Sequence, residues 1–129
     1  MTRGVLAVLV FLAAAACGGI ERPKRTPGLL VLLDSPDPSE RAWAVFELTR
    51  RRAPEAVPGL IRRLRDEDGG IRLYADRGLR ELTGEDLGFR ASAPDDEREA
   101  AVRRWETWWA ARDASAVGDV VGDEGASSP

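Results

Sequence analysis

The sequence predicts an all-α fold, a short α-solenoid of about two helical hairpins capped by a tryptophan-rich helix. Three observations support this prediction. One segment is repeated at a fixed offset, apolar residues recur at helical spacing in each repeat, and no stretch alternates apolar and polar residues as a half-buried strand does. The chain has 129 residues and one cysteine, so we expect one small domain without a disulfide.

The repeat pairs Pro27–Leu33 with Pro58–Leu64 at an offset of 31 residues. The same offset aligns five further pairs: Asp37 with Asp68, Arg41 with Arg72, Trp43 with Tyr74, Ala44 with Ala75, and Leu48 with Leu79. Matches at one offset over so many positions indicate a duplicated structural unit. We therefore predict two homologous helical hairpins over residues 27–83.

Each unit has the pattern of two helices joined by a turn. In the first unit, a short apolar helix covers Leu29–Leu33 and a second helix runs from about Pro38 to Arg52. Asp37 and Glu40 match the N-cap and the acidic N3 position of a capping box. The second helix has a wide apolar stripe that we expect to be buried, formed by Ala42, Trp43, Val45, Phe46 and Leu48.

The second unit repeats this arrangement. Pro54 opens the third helix, and the fourth helix is predicted over Ile71–Leu82. The third helix is expected to bury Val57, Leu60, Ile61 and Leu64, and the fourth to bury Ile71, Tyr74, Ala75, Gly78, Leu79 and Leu82. The acidic turn between them, Asp66–Gly70, lacks the ligand spacing of a calcium loop and is interpreted as a plain turn.

Residues 84–112 are predicted to form a loop and a fifth helix, which starts at about Asp95 and ends at Arg112. Three tryptophans, Trp105, Trp108 and Trp109, share one face of this helix. We expect them to form a structural cap, since each can bury about 150–250 Å² of surface; an aromatic ligand cage is the alternative. Residues 113–129 are small and acidic and are predicted to be a disordered tail.

The N-terminal segment has the pattern of an export signal. The apolar run Val5–Ala16 is shorter than the roughly twenty residues of a membrane-spanning helix. The stretch Ala14–Cys17 resembles the lipobox of bacterial lipoproteins, in which the cysteine carries fatty acyl chains such as palmitate. The resemblance implies a signal peptide at 1–16, a lipidated Cys17 with a tether over 17–26, and a membrane-anchored protein that faces the periplasm or the outside. A plain secreted form and an uncleaved anchor are alternatives.

Composition limits the chemistry of the chain. The net charge of -3 makes nucleic acid a poor partner. The chain has no histidine, and its one cysteine is the predicted lipidation site. The commonest general base, thiol nucleophile and soft metal ligands are therefore missing. We expect no catalytic residue, no metal and no cofactor.

The repeat units are similar to HEAT repeats, most closely to the short variety named after the phycobilisome lyases. The shared features are a proline near the start of the first helix, aspartate in the turn, and arginine then alanine in the second helix. Leu82–Gly84, Gly88–Phe89 and the tryptophan-rich helix resemble a segment that closes many bacterial HEAT-repeat arrays. Arg90 stands where that segment often has aspartate.

The HEAT resemblance implies a non-enzymatic module for protein–protein interaction, and the lipobox resemblance implies that it is tethered to the membrane in the cell envelope. Its protein partner and its oligomeric state are unknown. Solenoids commonly bind on one continuous face, so Arg41, Arg72 and Arg80 of the second helices are the predicted contacts. An accessory or lyase-like subunit that binds a small ligand in a concave groove, and a degenerate structural lipoprotein, are the alternatives. A cluster formed by Arg50, Arg51, Arg52, Arg62, Arg63 and Arg65 either faces anionic headgroups or is a solvated helix surface.

Overall fold

The structure, a computed structural model, describes the backbone of residues 25–121 and the side-chain surroundings of residues 25–117. It contains five α-helices: α1 (Thr26–Leu32), α2 (Pro38–Arg50), α3 (Val57–Arg63), α4 (Gly69–Thr83) and α5 (Asp95–Val121). A short 3₁₀ turn, Pro54–Ala56, precedes α3. Regular structure in this part of the chain is entirely helical, which confirms the all-α class. The predicted signal peptide, Cys17 and residues 122–129 lie outside the described residues.

The second helix of each repeat starts at an aspartate that caps it. The Asp37 carboxylate accepts the Ser39 backbone N–H at 2.8 Å, and the Asp68 carboxylate accepts the Gly70 N–H at 2.7 Å. These bonds satisfy N–H groups that have no partner within the helix. The predicted N-cap Asp37 and first-turn acidic residue Glu40 are confirmed, but the reciprocal bond of a capping box is replaced, because the Asp37 N–H donates to Ser35 Oγ, which donates in turn to the Glu40 carboxylate.

The ends of these two helices follow from backbone conformation. Arg52 has a φ of 53°, so α2 ends at Arg50 and not at Arg52 as the sequence predicts. The α4 helix ends at Gly84, whose φ of 75° is accessible to glycine at little strain, and the Gly84 N–H donates to the Arg80 carbonyl at 2.9 Å. This left-handed residue stops the helix and releases the chain into the loop before α5.

The two hairpins stack so that α2 packs against α4, with α1 against α2 and α3 against α4. Their inner faces share one hydrophobic core with the loop and α5. The largest fully buried side chains of that core are Leu29, Leu33, Val45, Leu48, Leu60, Leu64, Leu79, Phe89, Val102 and Trp105. A continuous core across both repeats and α5 is what lets an array of only two repeats bury its apolar faces.

Phe46 and Tyr74 depart from the sequence prediction, which places both inside. Phe46 is 58% exposed and Tyr74 is 51% exposed. The buried sides of α2 and α4 are occupied by other residues, among them Val45, Leu48 and Leu79. The buried stripe of each helix is therefore narrower than predicted, and Phe46 and Tyr74 lie on the part of the helix surface that faces solvent.

The α5 helix closes the array. Trp105 is fully buried, whereas Trp108 and Trp109 are partly buried against the same core. Trp105 and Trp108 meet edge to face with ring centroids 5.5 Å apart. The helix continues to Val121 and not to Arg112, so the predicted disordered tail is wrong for residues 113–121. Residues 113–117 are exposed, alanine-containing and free of proline and glycine, so helix propensity can extend α5 beyond the body.

Gly78 marks the close approach of the two repeats. A Cβ at this position would collide with Thr49 Oγ1 on α2 and would lie 3.3 Å from Leu60 Cδ1. We expect Gly78→Ala to destabilise the protein by about 1 kcal/mol, because overpacking outweighs the gain in helix propensity. Urea denaturation followed by circular dichroism measures this change.

The control for this prediction removes Thr49 Oγ1, the atom that the new Cβ would meet. In Gly78→Ala/Thr49→Ala the colliding oxygen is gone, so the double variant is expected to be more stable than Gly78→Ala alone. A Gly78→Ala protein more stable than the parent would show that α2 and α4 are farther apart than described.

Candidate functional site

Arg41 lies inside the protein, and the prediction that it contacts a partner is corrected. Its side chain is 6% exposed and forms a bidentate ion pair with Asp66, with Nε–Oδ2 at 2.8 Å and Nη2–Oδ1 at 3.0 Å. Arg41 Nη1 donates to the carbonyls of Ser35 and Pro36 at 2.9 and 3.2 Å. Arg41 therefore joins the turn of the first repeat to the turn of the second.

Arg72 and Arg80, the other two predicted contacts, hold the loop of residues 84–94 against α4. Arg72 donates to the carbonyls of Asp66 at 2.9 Å and of Ala91 at 3.1 Å. Arg80 donates to the Phe89 carbonyl at 3.2 Å and pairs with two carboxylates, Asp76 at 3.0 Å and Asp86 at 2.8 Å. The side chains of Arg72 and Arg80 thus stabilise the fold, and both also line a groove at the protein surface.

This groove lies between α4 and the loop and has a volume of about 760 Å³. We call it the arginine groove, since four arginines line it. Its lining residues are Gly69, Gly70, Arg72, Leu73, Asp76, Arg77, Arg80, Phe89, Arg90, Ala91 and Ser92. Four positive charges against the single carboxylate of Asp76 make its lining basic in a chain whose net charge is negative.

Asp76 is the one acidic residue in this lining and is 8% exposed. Burial raises the pKa of its carboxyl, and the hydrogen bond and positive charge of Arg80 oppose that increase. The Oδ1 atom of Asp76 has no hydrogen-bond partner among residues 25–117. The negative charge at the base of the groove is thus held in an unfavourable environment.

Three large apolar side chains on α2 and α4 are exposed to solvent. Phe46 on α2 and Leu73 and Tyr74 on α4 are each more than half exposed, and we call these three residues the recognition face. Leu73 belongs to both the recognition face and the groove. Apolar side chains left exposed on two packed helices offer surface that a partner can cover.

The sequence contained one signal for this face that the prediction did not use. At the 31-residue offset, Phe46 aligns with Arg77, which is exposed on α4. A charged residue is almost never buried without a partner, so this alignment favours a solvent-facing position for Phe46 as well, contrary to the burial predicted from helical spacing. The groove had no comparable signal, since its second wall is the irregular loop of residues 84–94.

The arginine cluster considered for anionic headgroups is largely engaged within the protein. Arg62 and Arg63 pair with Asp34 at 2.9 and 3.2 Å. Arg65 pairs with Glu99 and Glu106 of α5, both at 2.6 Å, and the hydrogen bond from Arg65 lowers the pKa of Glu99. The Asp34 pairs join α3 to the turn after α1, and the Arg65 pairs join the turn after α3 to α5.

The acidic turn has structural roles for two of its carboxylates, since Asp66 pairs with Arg41 and Asp68 caps α4. No group of three or more potential ligand residues is arranged to hold a metal ion in the described part of the chain. None of the described helices is both long and apolar enough to cross a bilayer.

Comparison with known proteins supports the repeat architecture. A family model described as HEAT repeats matches residues 26–104, which is more than half of the chain. No curated protein and no solved structure gives a match. HEAT repeats generally mediate protein–protein interaction. With two stacked hairpins, a shared core and this match, the chain belongs to the HEAT-repeat family.

Proposed function

We propose that this protein is a membrane-tethered, non-enzymatic HEAT-repeat lipoprotein that presents its recognition face to a partner protein in the cell envelope. The observation that carries the proposal is the exposure of Phe46, Leu73 and Tyr74 on the packed pair α2 and α4. A partner that covers these side chains removes apolar surface from water, which favours association at about 25 cal/mol per Å² before ordering costs.

The tether is proposed from the sequence around Cys17. Short acylated anchors hold a protein at a bilayer when more than one chain is attached, and lipoprotein cysteines meet that condition. Confinement to the membrane would raise the effective concentration of the recognition face near membrane-bound partners.

The interaction is tested by crosslinking the full chain in cells, followed by affinity capture and mass spectrometry. Phe46→Glu and Tyr74→Glu each place a charge in the face, and we expect each to reduce partner recovery by about tenfold. Val31→Glu is the matched control, because Val31 is a 73% exposed apolar residue on α1. Equal recovery of the same partner with all three variants would contradict the proposed face.

The tether is tested in the same cells by fractionation and metabolic labelling with an alkyne fatty acid. The parent chain is expected in the membrane fraction with label attached, and Cys17→Ala is expected to lose the label. A Cys17→Ala chain that keeps both its label and its membrane location would disprove the lipid anchor.

A further inference from the structure

We propose that the arginine groove binds an extended acidic segment of the partner protein, in which carboxylates flank an apolar side chain. This inference rests on the proposed function, because the groove borders the recognition face and shares Leu73 with it. It adds the chemical class of the partner, which the exposed apolar residues alone do not specify.

Two arginines of the groove keep an uncompensated positive charge. Arg72 is bonded to backbone carbonyls, which hold its guanidinium in place without neutralising it, and it pairs with no carboxylate of residues 25–117. Arg77 is exposed and forms neither a hydrogen bond nor an ion pair within the same range. The other two arginines already have carboxylate partners, Arg80 with Asp76 and Asp86 and Arg90 with Glu97.

The groove also has an apolar component that a small anion would leave uncovered. Leu73 is 53% exposed at its edge, and Ala91 contributes to the opposite wall. A peptide can place an apolar side chain against Leu73 while its carboxylates meet Arg72 and Arg77. Arg77 can bind a carboxylate through two parallel hydrogen bonds. Arg72 donates four of its five N–H groups to backbone carbonyls, so it offers a carboxylate its positive charge and one remaining N–H.

The groove is held open for such a ligand by bonds within the protein. The Arg72–Ala91 and Arg80–Phe89 hydrogen bonds fix the loop at its distance from α4. Phe89, 1% exposed, anchors the same loop in the core. A preformed groove reduces the ordering cost of binding.

We assign the acidic segment to the partner protein, because the groove shares Leu73 with the recognition face that the proposed function gives to that partner. Residues 118–129 of the same chain include Asp119, Asp123 and Glu124 and are the competing occupant. A chain without residues 118–129 that binds the glutamate peptide clearly more tightly than the full chain would overturn the assignment in favour of this segment.

The test is fluorescence anisotropy with the full chain and a labelled eight-residue peptide in which glutamates flank a central leucine. The comparison peptide has glutamine in place of every glutamate. We expect the glutamate peptide to bind about tenfold more tightly at 50 mM salt and to lose this advantage at 500 mM salt. Equal affinities of the two peptides would overturn the inference.

Arg77→Glu is the diagnostic variant, because Arg77 forms no hydrogen bond or ion pair within residues 25–117 and its replacement therefore breaks none. We expect this variant to bind the glutamate peptide about fivefold to tenfold more weakly than the parent chain does. Ser92→Glu, on the opposite wall, is expected to act in the same direction. Arg103→Glu is the matched control, since Arg103 is an exposed arginine of α5 outside the groove. An equal loss with Arg103→Glu would overturn the assignment to the groove.

Two further measurements test other occupants of the groove, and a third outcome distinguishes failure of this inference from failure of the proposed function. Binding of anionic phospholipid vesicles that requires Arg77, with no peptide binding, would overturn the inference in favour of headgroups. Self-association in sedimentation experiments that disappears with removal of residues 118–129 would overturn it in favour of a second copy. If Phe46→Glu abolishes partner capture while Arg77→Glu changes neither capture nor peptide affinity, the proposed function stands and this inference fails.

Discussion

Replacement of Trp105 by alanine is expected to destabilise the protein by about 3–5 kcal/mol. Trp105 is fully buried on α5, which packs against α3 of the second repeat, so truncation leaves a cavity in the core that they share. Small domains have a total stability of about 5–15 kcal/mol. We therefore expect Trp105→Ala to lose much of its cooperative unfolding transition, measured by guanidinium denaturation with circular dichroism.

Two variants show whether this loss comes from the cavity. Trp109→Ala, at a partly buried position of the same helix, is expected to cost clearly less than Trp105→Ala. Trp105→Phe keeps most of the volume and removes an indole N–H that has no hydrogen-bond partner in the described chain, so it is also expected to be mild. A Trp105→Ala protein as stable as Trp109→Ala would show that α5 does not close the core.

Removal of Arg41 is expected to have an effect of similar size, about 3–5 kcal/mol for Arg41→Met. The side chain of Asp66 is 1% exposed, and without Arg41 it keeps only Arg63 at 3.0 Å and the Asp68 N–H at 3.0 Å. A buried carboxylate that loses its main counter-charge destabilises the folded state. Chemical denaturation at pH 7 measures this change.

A control variant and a double variant test whether the loss in Arg41→Met comes from the Arg41–Asp66 pair. Arg50→Met breaks an exposed pair with Glu47 and is expected to change stability by at most about 0.5 kcal/mol. The double variant Arg41→Met/Asp66→Asn is expected to lose less than the sum of the single variants, because the carboxylate left unpaired by the first change is gone. Strict additivity would contradict a direct Arg41–Asp66 interaction.

The same pair predicts how stability depends on pH. Burial raises the pKa of Asp66, but the hydrogen bonds from Arg41 and the Asp68 N–H and the charges of Arg41 and Arg63 outweigh it, so the pKa is lowered overall. A lowered folded-state pKa contributes stability that is present above the unfolded value of about 3.9 and is lost as the pH falls through the folded value. The stability difference between the parent and Asp66→Asn is therefore expected to shrink as the pH falls below about 4.

Helix positions and the repeat were accessible from the sequence because they depend on neighbouring residues. Asp37 and Asp68 cap the helices that follow them directly, and the 31-residue repeat needs only a comparison of the chain with itself. The end of α5 was misplaced because a weakly polar, alanine-containing segment can continue a helix with nothing to bury.

The sequence by itself determined the helical class, the duplicated hairpins and the aromatic helix that follows them, because periodicity and capping act within a few residues of the chain. Tertiary structure alone decided that Arg41 is buried, that Phe46 and Tyr74 are exposed, and that the loop of residues 84–94 completes an arginine groove. The physical reason is distance along the chain. Asp66 neutralises Arg41 from 25 residues away, and the side of α2 that is covered depends on where α4 packs.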